Sequence, residues 1–153
     1  MGLLSKWTGT RIPDGLVTPK PEADLRDALL ALNSPDVPYN VREGQRGEKA
    51  DLVAECHIKR VGVRLKTSMR LVPEKHEVRV IHERWENRSA GNANQQYGRG
   101  HAPAVFTQKE TVTGPDGRKQ RAEVFCFDTR EVTNPLEVTV LRAGWTWRGV
   151  FRL

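Results

Sequence analysis

The sequence predicts an α+β domain in which an antiparallel sheet of about six or seven strands packs against an N-terminal helix and a C-terminal helix. Three observations support this class. Apolar and polar residues alternate from Asp51 to Glu86, which is typical of successive hairpins. Apolar residues at three- and four-residue spacing predict a helix over 21–33, and a helix-start motif occurs at Asn134. The order of the strands is left open.

The chain has 153 residues, which is the size of one domain. We assign 21–153 to that domain and 1–20 to an irregular N-terminal arm, because glycine and proline interrupt the arm too often for a long element. The arm also carries apolar side chains, so it either packs back on the domain or docks on another chain. Packing back is favoured, since large apolar patches are rarely left exposed.

The N-terminal helix is predicted from its start signals and its apolar stripe. Pro21 suits a first helical turn, and Glu22 and Asp24 follow where the helix dipole favours negative charge. The stripe consists of Leu25, Ala28, Leu29 and Leu32. Asn33 to Pro35 ends the helix, and a first strand is expected to begin near Tyr39.

The hairpins between Asp51 and Glu86 define their own register. Placing Leu71 opposite Val78, and Ile58 opposite Val63, sets apolar residues against one another on an inner face. The same register places two rows of side chains on the outer face: Glu55 with Lys66 and Glu83, and His57 with Arg64 and Trp85. A shift of one residue would destroy both patterns.

The residues after these hairpins predict a mobile loop and then a third hairpin. The stretch 87–103 is rich in glycine and in polar amides, with too little apolar content to pack. Residues 104–112 and 119–127 form the next hairpin, with Glu110 opposite Arg121 and Phe106 opposite Phe125.

The C-terminal helix is predicted to begin at Asn134, with Pro135 in its first turn, and to end at Gly144. A strand should then close the chain. Three aromatic residues alternate with other side chains there and are expected in the core: Trp145, Trp147 and Phe151.

The charge balance points to an anionic partner. Lys and Arg number 25 against 19 Asp and Glu, which gives a net charge of +6 and favours nucleic acid or an acidic protein surface. No apolar run reaches the length of a membrane span, and the N-terminus lacks the apolar core of a secretory signal, so a cytoplasmic location is expected. Cys56 and Cys126 lie in apolar strand patterns and are expected to be buried free thiols.

Several common chemistries lack their sequence signatures. The four histidines are dispersed, neither cysteine has metal-ligand spacing, and no phosphate loop or nucleophile motif occurs. We therefore expect no metal and no cofactor, and we assign no catalytic residue. His82 falls on the inner face opposite Thr67, where a hydrogen-bonded core histidine is commoner than a catalyst.

The outer sheet face is the candidate binding surface. Arg70 lies opposite Arg79, and two like charges at this distance cost stability unless an anion or solvent separates them. Arg64 beside Trp85 permits a cation–π contact. The proposed anion- or partner-binding residues are His57, Arg64, Lys66, Arg70, Arg79, Trp85, Arg88 and Arg99. These residues predict a non-catalytic binding protein that contacts an acidic protein or nucleic acid.

Two alternatives stay open. The face is an ordinary solvated surface if Glu55, Lys66 and Glu83 neutralise one another. Otherwise the chain is a small-molecule pocket protein, or a small enzyme, with a cavity between sheet and helices that His82 lines. A concave, partly empty interior would favour this second alternative. The oligomeric state is not predicted.

Three segments resemble an uncharacterised group of small actinobacterial proteins: Asn33 to Tyr39, Ala50 to Glu55, and Gly144 to Trp147. The resemblance extends from about residue 30 to the end of the sequence. Cys56 stands where a tryptophan is usual in the group, and the stretch 87–103 diverges. The resemblance implies a bacterial cytoplasmic protein and carries no activity or site residues.

Overall fold

The computed structural model describes residues 9–87 and 95–153, and it confirms an α+β fold with a mostly antiparallel sheet and two helices. The helices are α1 (Glu22–Leu30) and α2 (Arg130–Arg142). The strands are β1 (Tyr39–Glu43), β2 (Leu52–Ile58), β3 (Val63–Val72), β4 (Glu77–Asn87), β5 (Gln95–Arg99), β6 (Val105–Thr113), β7 (Lys119–Asp128) and β8 (Thr146–Gly149). Neither helix in these ranges has the length and apolar character that crossing a membrane needs.

The strands form a six-stranded sheet and a separate two-stranded hairpin. The larger sheet runs β1-β2-β3-β4-β5, and β8 pairs with the first half of β4. All pairs are antiparallel except β4 with β8, which is parallel because the chain returns to the sheet after α2. β6 and β7 make the second sheet. A single antiparallel sheet was therefore the wrong expectation for β6, β7 and β8.

The predicted register of the first hairpins is confirmed. Leu71 lies opposite Val78 and Ile58 lies opposite Val63. Short 3-10 turns join these strands, and each turn ends at a residue in the left-handed region, Gly62 at φ +65° and His76 at φ +47°. Both predicted rows of the outer face follow from this register.

Both helices cover the inner face of the sheet. Their buried residues are Leu25, Leu29, Val132, Leu136 and Val140. These side chains share one apolar core with inner-face residues such as Met69 and Val80 and with Trp145 and Trp147. Packing of an amphipathic stripe against a sheet face supplies most of the stability of such helices.

Helix α1 ends before the predicted residue 33. The side chain of Asn33 donates to the carbonyl oxygen of Val41 at 2.7 Å and accepts from the Val41 amide at 2.6 Å. Asn33 thus ties the end of α1 to β1, and the last helical residue is Leu30.

Helix α2 begins earlier than predicted. Asp128 accepts a hydrogen bond from the amide of Arg130 at 2.9 Å, and Glu131 accepts one from the amide of Asp128 at 3.0 Å. These two hydrogen bonds connect the end of β7 to the first turn of the helix, which begins at Arg130, one turn before Asn134. Pro135 consequently lies inside α2. The predicted end is confirmed, because Gly144 follows the helix at φ +78°.

The described part of the N-terminal arm contacts the C-terminal elements. The backbone of Arg11 exchanges two hydrogen bonds with Trp147, at 2.8 and 2.9 Å, and the amide of Lys20 donates to Ala143. A Cβ on Gly144 would lie 2.8 Å from Cα of Pro19, so only glycine permits this close approach. Ile12 and Leu16 remain exposed.

Four further expectations were wrong. The β6–β7 register differs from the predicted one by one residue near the turn, where Glu110 lies opposite Ala122, and a bulge between Gln108 and Lys109 adds a second residue, so Phe106 lies opposite Phe127. Phe151 is 63% exposed. Cys126 is exposed, whereas Cys56 is buried as predicted. Within the predicted loop 87–103, residues 95–99 form β5 and only 88–94 lie outside the described residues.

Candidate functional site

The predicted outer-face residues do not form one continuous surface. His57, Arg64 and Trp85 share a row at one end of the sheet, and Arg70 and Arg79 share a row near the other end. About six residues of β4 separate the two rows, or about 20 Å at the rise of a strand. Between them Val53, Ser68 and Ile81 are buried on the same face.

The first row is an aromatic platform. The guanidinium of Arg64 lies 4.9 Å from the Trp85 ring centroid, which confirms the predicted cation–π contact. Tyr97 on β5 lies opposite Trp85, and their ring centroids are 5.4 Å apart. Sequence reasoning missed Tyr97, because residue 97 was assigned to a loop.

Lys66 is neutralised by a residue that sequence reasoning did not consider. Its Nζ lies 2.7 Å from Oε2 of Glu48, and Arg42 forms ion pairs with both Glu48 at 2.8 Å and Glu55 at 3.1 Å. The pKa of Glu48 falls well below its usual range because Arg42 and Lys66 both donate to its carboxylate. This network removes Lys66 from the set of free cations. Arg88 lies outside the described residues.

The second row contains one more arginine than predicted. Arg148 on β8 lies beside Arg79 in the parallel register, so Arg70, Arg79 and Arg148 follow one another across three strands. We call these three residues the arginine row. Because Arg148 alternates with the inward Trp147, the sequence predicts that Arg148 faces solvent. No sequence pattern predicts that β8 pairs with β4.

A cavity of about 380 Å³ lies on the other side of the sheet. It is bounded by the inner face of β3, β4 and β5, by the start of α2 and by the described part of the arm. Its polar lining residues include Thr67, His82, Arg84, Arg99, His101, Thr133, Asn134 and Glu137. This volume is within the range of small-molecule sites.

The cavity is open because small residues form much of its wall. Gly9, Gly98, Gly100, Ala102 and Ala104 all line it. Gly98 pairs with Arg84 inside β5, and a Cβ added there would meet only the Arg84 Nη2 atom, at 3.9 Å. A glycine inside a strand often marks a place where a ligand or another backbone approaches closely.

Two histidines stand together in the wall. The ring centroids of His82 and His101 are 5.2 Å apart in an edge-to-face arrangement, and Trp147 lies 6.1 Å from His82. Burial, together with the neighbouring His101, lowers the pKa of His82 to about 3. Burial also lowers the pKa of His101, against the effect of its hydrogen bond to the Val150 carbonyl. The pair is therefore uncharged at neutral pH.

The hydrogen bonds indicate which ring nitrogens carry protons. Thr67 Oγ1 lies 2.9 Å from His82 Nδ1, and Thr67 is buried. Because the buried hydroxyl has no other partner in the described chain, it donates to Nδ1 and leaves an N–H at His82 Nε2. His101 Nε2 lies 3.1 Å from the Val150 carbonyl, which can only accept, so His101 Nδ1 is an acceptor.

These two histidines have unused hydrogen-bonding capacity. His101 Nδ1 is buried and has no hydrogen-bond partner among residues 9–87 and 95–153. His82 Nε2 likewise has no partner among the described residues. A buried polar atom left unpaired costs about 1–3 kcal/mol. His101 Nδ1 is enclosed by protein, so the atom of the pair that can meet a ligand in the cavity is the His82 Nε2 donor.

The charged groups of the wall are largely paired. Ion pairs join a guanidinium nitrogen to a carboxylate oxygen: Arg84 Nε to Glu86 Oε1 at 2.7 Å, Arg130 Nη2 to Asp128 Oδ2 at 2.6 Å, and Arg11 Nε to Glu137 Oε1 at 3.5 Å. Burial raises the pKa of Glu137, and Arg11 acts against that rise. A histidine with a pKa near 3 is a weak base at neutral pH, so the cavity suits binding better than proton transfer. Across 9–87 and 95–153, no three His, Cys, Asp or Glu side chains group to hold a metal ion.

Comparison of the chain with family models, with curated proteins and with solved structures finds no match. The function is therefore inferred from the cavity and from the arginine row.

Proposed function

We propose that this protein binds a small uncharged polar molecule in the cavity between the inner sheet face and α2. The observation that carries the proposal is a cavity of about 380 Å³ whose wall holds two neutral imidazoles, with the His82 Nε2 donor unpaired among the described residues. An empty interior is the feature that favours a pocket over surface binding.

The chemical class follows from the wall. A charged ligand would need a counter-charge, but Arg11, Arg84 and Arg130 already have carboxylate partners. The remaining lining arginine, Arg99, lies opposite Glu83, whose row is on the outer face. His82 Nε2 offers a donor, and the Thr133 hydroxyl and the Asn134 amide in the lining offer acceptors. A ring that carries a carbonyl beside an N–H, such as uracil or 2-pyridone, presents the complementary pair of groups.

The test is a thermal-shift titration with uracil and 2-pyridone, repeated with a variant whose cavity is filled. Gly98→Phe adds a ring from β5 into open space at a position with ordinary strand geometry. Gly15→Phe is the matched control, because a Cβ at Gly15 meets nothing within 4 Å and the residue does not line the cavity. A probe at ten times its Kd stabilises the protein by about 1.4 kcal/mol, or about 3–5 °C in Tm.

We expect the shift in the wild type and in Gly15→Phe, and its loss in Gly98→Phe. A shift that persists in a folded Gly98→Phe variant would place the ligand elsewhere and refute the proposal. So would the absence of a shift with both probes together with binding of benzoate, which would show that the cavity selects an anion.

A further inference from the structure

The arginine row on the outer face is independent of the cavity and has an arrangement suited to an anion. Adjacent strands are about 4.8 Å apart, so the three Cα atoms span about 10 Å. Arg70 and Arg148 are exposed, and the Arg79 side chain is 35% exposed. All three project from the same face, because Arg70 pairs with Arg79 and Arg79 pairs with Arg148.

The Glu77 carboxylate accepts a hydrogen bond from the Nε atom of each of two of these arginines. Its Oε1 accepts from Arg79 Nε at 2.8 Å and its Oε2 accepts from Arg148 Nε at 2.8 Å. The Glu77 side chain is only 6% exposed, so this carboxylate is fixed in place. Since each guanidinium uses only Nε, its four Nη hydrogens stay available for a ligand.

The row has more positive charge than its partner can neutralise. Three arginines stand against one carboxylate, and Arg70 forms no ion pair or side-chain hydrogen bond within the described parts of the chain. Like charges opposite each other on a sheet are destabilising. A bound anion would offset this cost, and guanidinium groups bind phosphate oxygens with strong, geometrically specific hydrogen bonds.

The surrounding face favours a single anionic group over a nucleic-acid strand. Toward the aromatic platform, the buried residues Val53, Ser68 and Ile81 come next, and then the Glu48 and Glu55 carboxylates. A polyanion along the sheet would find no free cation there, because these carboxylates are paired with Arg42 and Lys66. The stacking rings of Trp85 and Tyr97 lie about 20 Å away, too far to stack a base next to a phosphate on the row.

We propose that Arg70, Arg79 and Arg148 form a binding site for one phosphate monoester group, with Glu77 as the residue that positions Arg79 and Arg148. Bidentate contacts from the Nη atoms would hold the phosphate oxygens above Glu77. Nothing in this proposal depends on the cavity.

The test is calorimetric titration of the full chain with phenyl phosphate and, separately, with inorganic phosphate in a low-salt chloride buffer. We expect a Kd of about 1 mM or tighter for phenyl phosphate, weakening as salt increases. Equal affinities indicate a site for the free ion, and tighter binding of phenyl phosphate indicates a phosphorylated organic molecule; both support the site.

Four variants separate a built site from general positive charge. Arg70→Ser should weaken binding about tenfold, and Arg148→Lys should do so although it keeps the charge, because lysine lacks the planar fork. Arg121→Ser, in exposed β7, is the charge-matched control and should change Kd less than about twofold. Glu77→Gln makes the surface more positive and should nevertheless weaken binding, since Arg79 and Arg148 lose their orientation.

The outcomes are decisive in both directions once circular dichroism shows that each variant is folded. Equal losses in Arg70→Ser and Arg121→Ser would mean non-specific attraction and would overturn the proposal. Tighter binding by Glu77→Gln would refute the positioning role, and Arg148→Lys tests the same orientation if Glu77→Gln fails to fold. Binding of an unphosphorylated single-stranded oligonucleotide without binding of phenyl phosphate would favour a polyanion surface and contradict the single-group site.

Discussion

Two titratable residues on one strand, the buried Glu77 and the half-buried His82, end in opposite charge states. They lie five positions apart on opposite faces of β4. Burial raises the pKa of Glu77, but hydrogen bonds from Arg79 and Arg148 outweigh it and hold that pKa below its usual range. His82 has no counter-charge, so burial lowers its pKa to about 3.

The difference shows that the hydrogen-bonding partner, rather than burial, determines whether a titratable side chain in this protein stays charged. A buried carboxylate keeps its charge where two guanidinium groups contact it. A buried imidazole with only a hydroxyl partner becomes neutral. The outer face therefore presents fixed charges, whereas the inner cavity presents neutral donors and acceptors, and the two proposed ligands differ accordingly.

The largest effect expected from this comparison is a loss of unfolding free energy in acid. Below pH 6.5 the unfolded chain protonates His82, but the folded chain does so only near pH 3. Stability should therefore fall as the pH is lowered through this window, by up to about 1.4 kcal/mol per pH unit and by about 3 kcal/mol between pH 6.5 and pH 4.0. Urea unfolding of the wild type and of His82→Gln at several pH values isolates this contribution.

His82→Gln should show a correspondingly smaller loss of stability in acid, because the carboxylates that also titrate there are common to both proteins. His57→Gln, in which an exposed outer-face histidine is replaced, should follow the wild type. Parallel profiles for wild type and His82→Gln would show that His82 is hydrated or paired, and the comparison would fail.

The two cysteines extend the comparison to the thiol, a group that is neutral in its protonated form. Burial, with a smaller effect of Glu131, raises the pKa of Cys56 to about 11, whereas Cys126 is exposed. Because the thiolate is the reactive form, a rise of two units lowers its population about 100-fold. Desolvation and the neighbouring Glu123 also raise the pKa of Cys126, so the contrast rests on its exposure. Iodoacetamide should modify Cys126 before Cys56 near pH 8, and mass spectrometry locates the label.

Cys126→Ser is the control for that experiment: its remaining thiol should react slowly in the folded protein and rapidly in denaturant. Fast native labelling of Cys56 would show that the core opens near β2. Burial would then no longer explain the low reactivity expected of the Cys56 thiol.

The first hairpins could be predicted because two constraints agree there. Alternation assigns Met69 and Val80 to the inner face, and one register satisfies both hairpins, so an error in either would expose apolar side chains. The β6–β7 hairpin lacks this constraint, since most of its residues are exposed on both faces. Nothing in its pattern revealed the bulge at Gln108.

The candidate sites depend on neighbours that are distant in sequence. Arg70 and Arg79 could be paired from the hairpin register, but Arg148 joins them through a strand that follows the sheet by some sixty residues. Gly98 and His101 lie in a stretch whose glycines and amides are typical of a loop. The cavity forms where α2 and the arm pack near these small residues. No local sequence pattern predicts this tertiary packing.

The smallest predicted effect compares two carboxylates that both accept from arginine. Glu77 is buried between Arg79 and Arg148, whereas the Glu55 side chain is 46% exposed beside Arg42. Glu77→Gln should lower the free energy of unfolding at neutral pH by about 2 kcal/mol, less than a fully buried pair because water reaches the half-exposed arginines. Glu55→Gln should cost less than about 1 kcal/mol.

The sign of the pH effect distinguishes this cause from a packing defect. The folded pKa of Glu77 is below its ordinary value of 4.5, so its contribution is present above that value and is lost as pH falls through the folded pKa. The difference between wild type and Glu77→Gln, measured by urea unfolding, should shrink in acid. A difference that is constant with pH would assign the loss to packing, and equal effects of Glu77→Gln and Glu55→Gln would show that the buried position gives the pair no added strength.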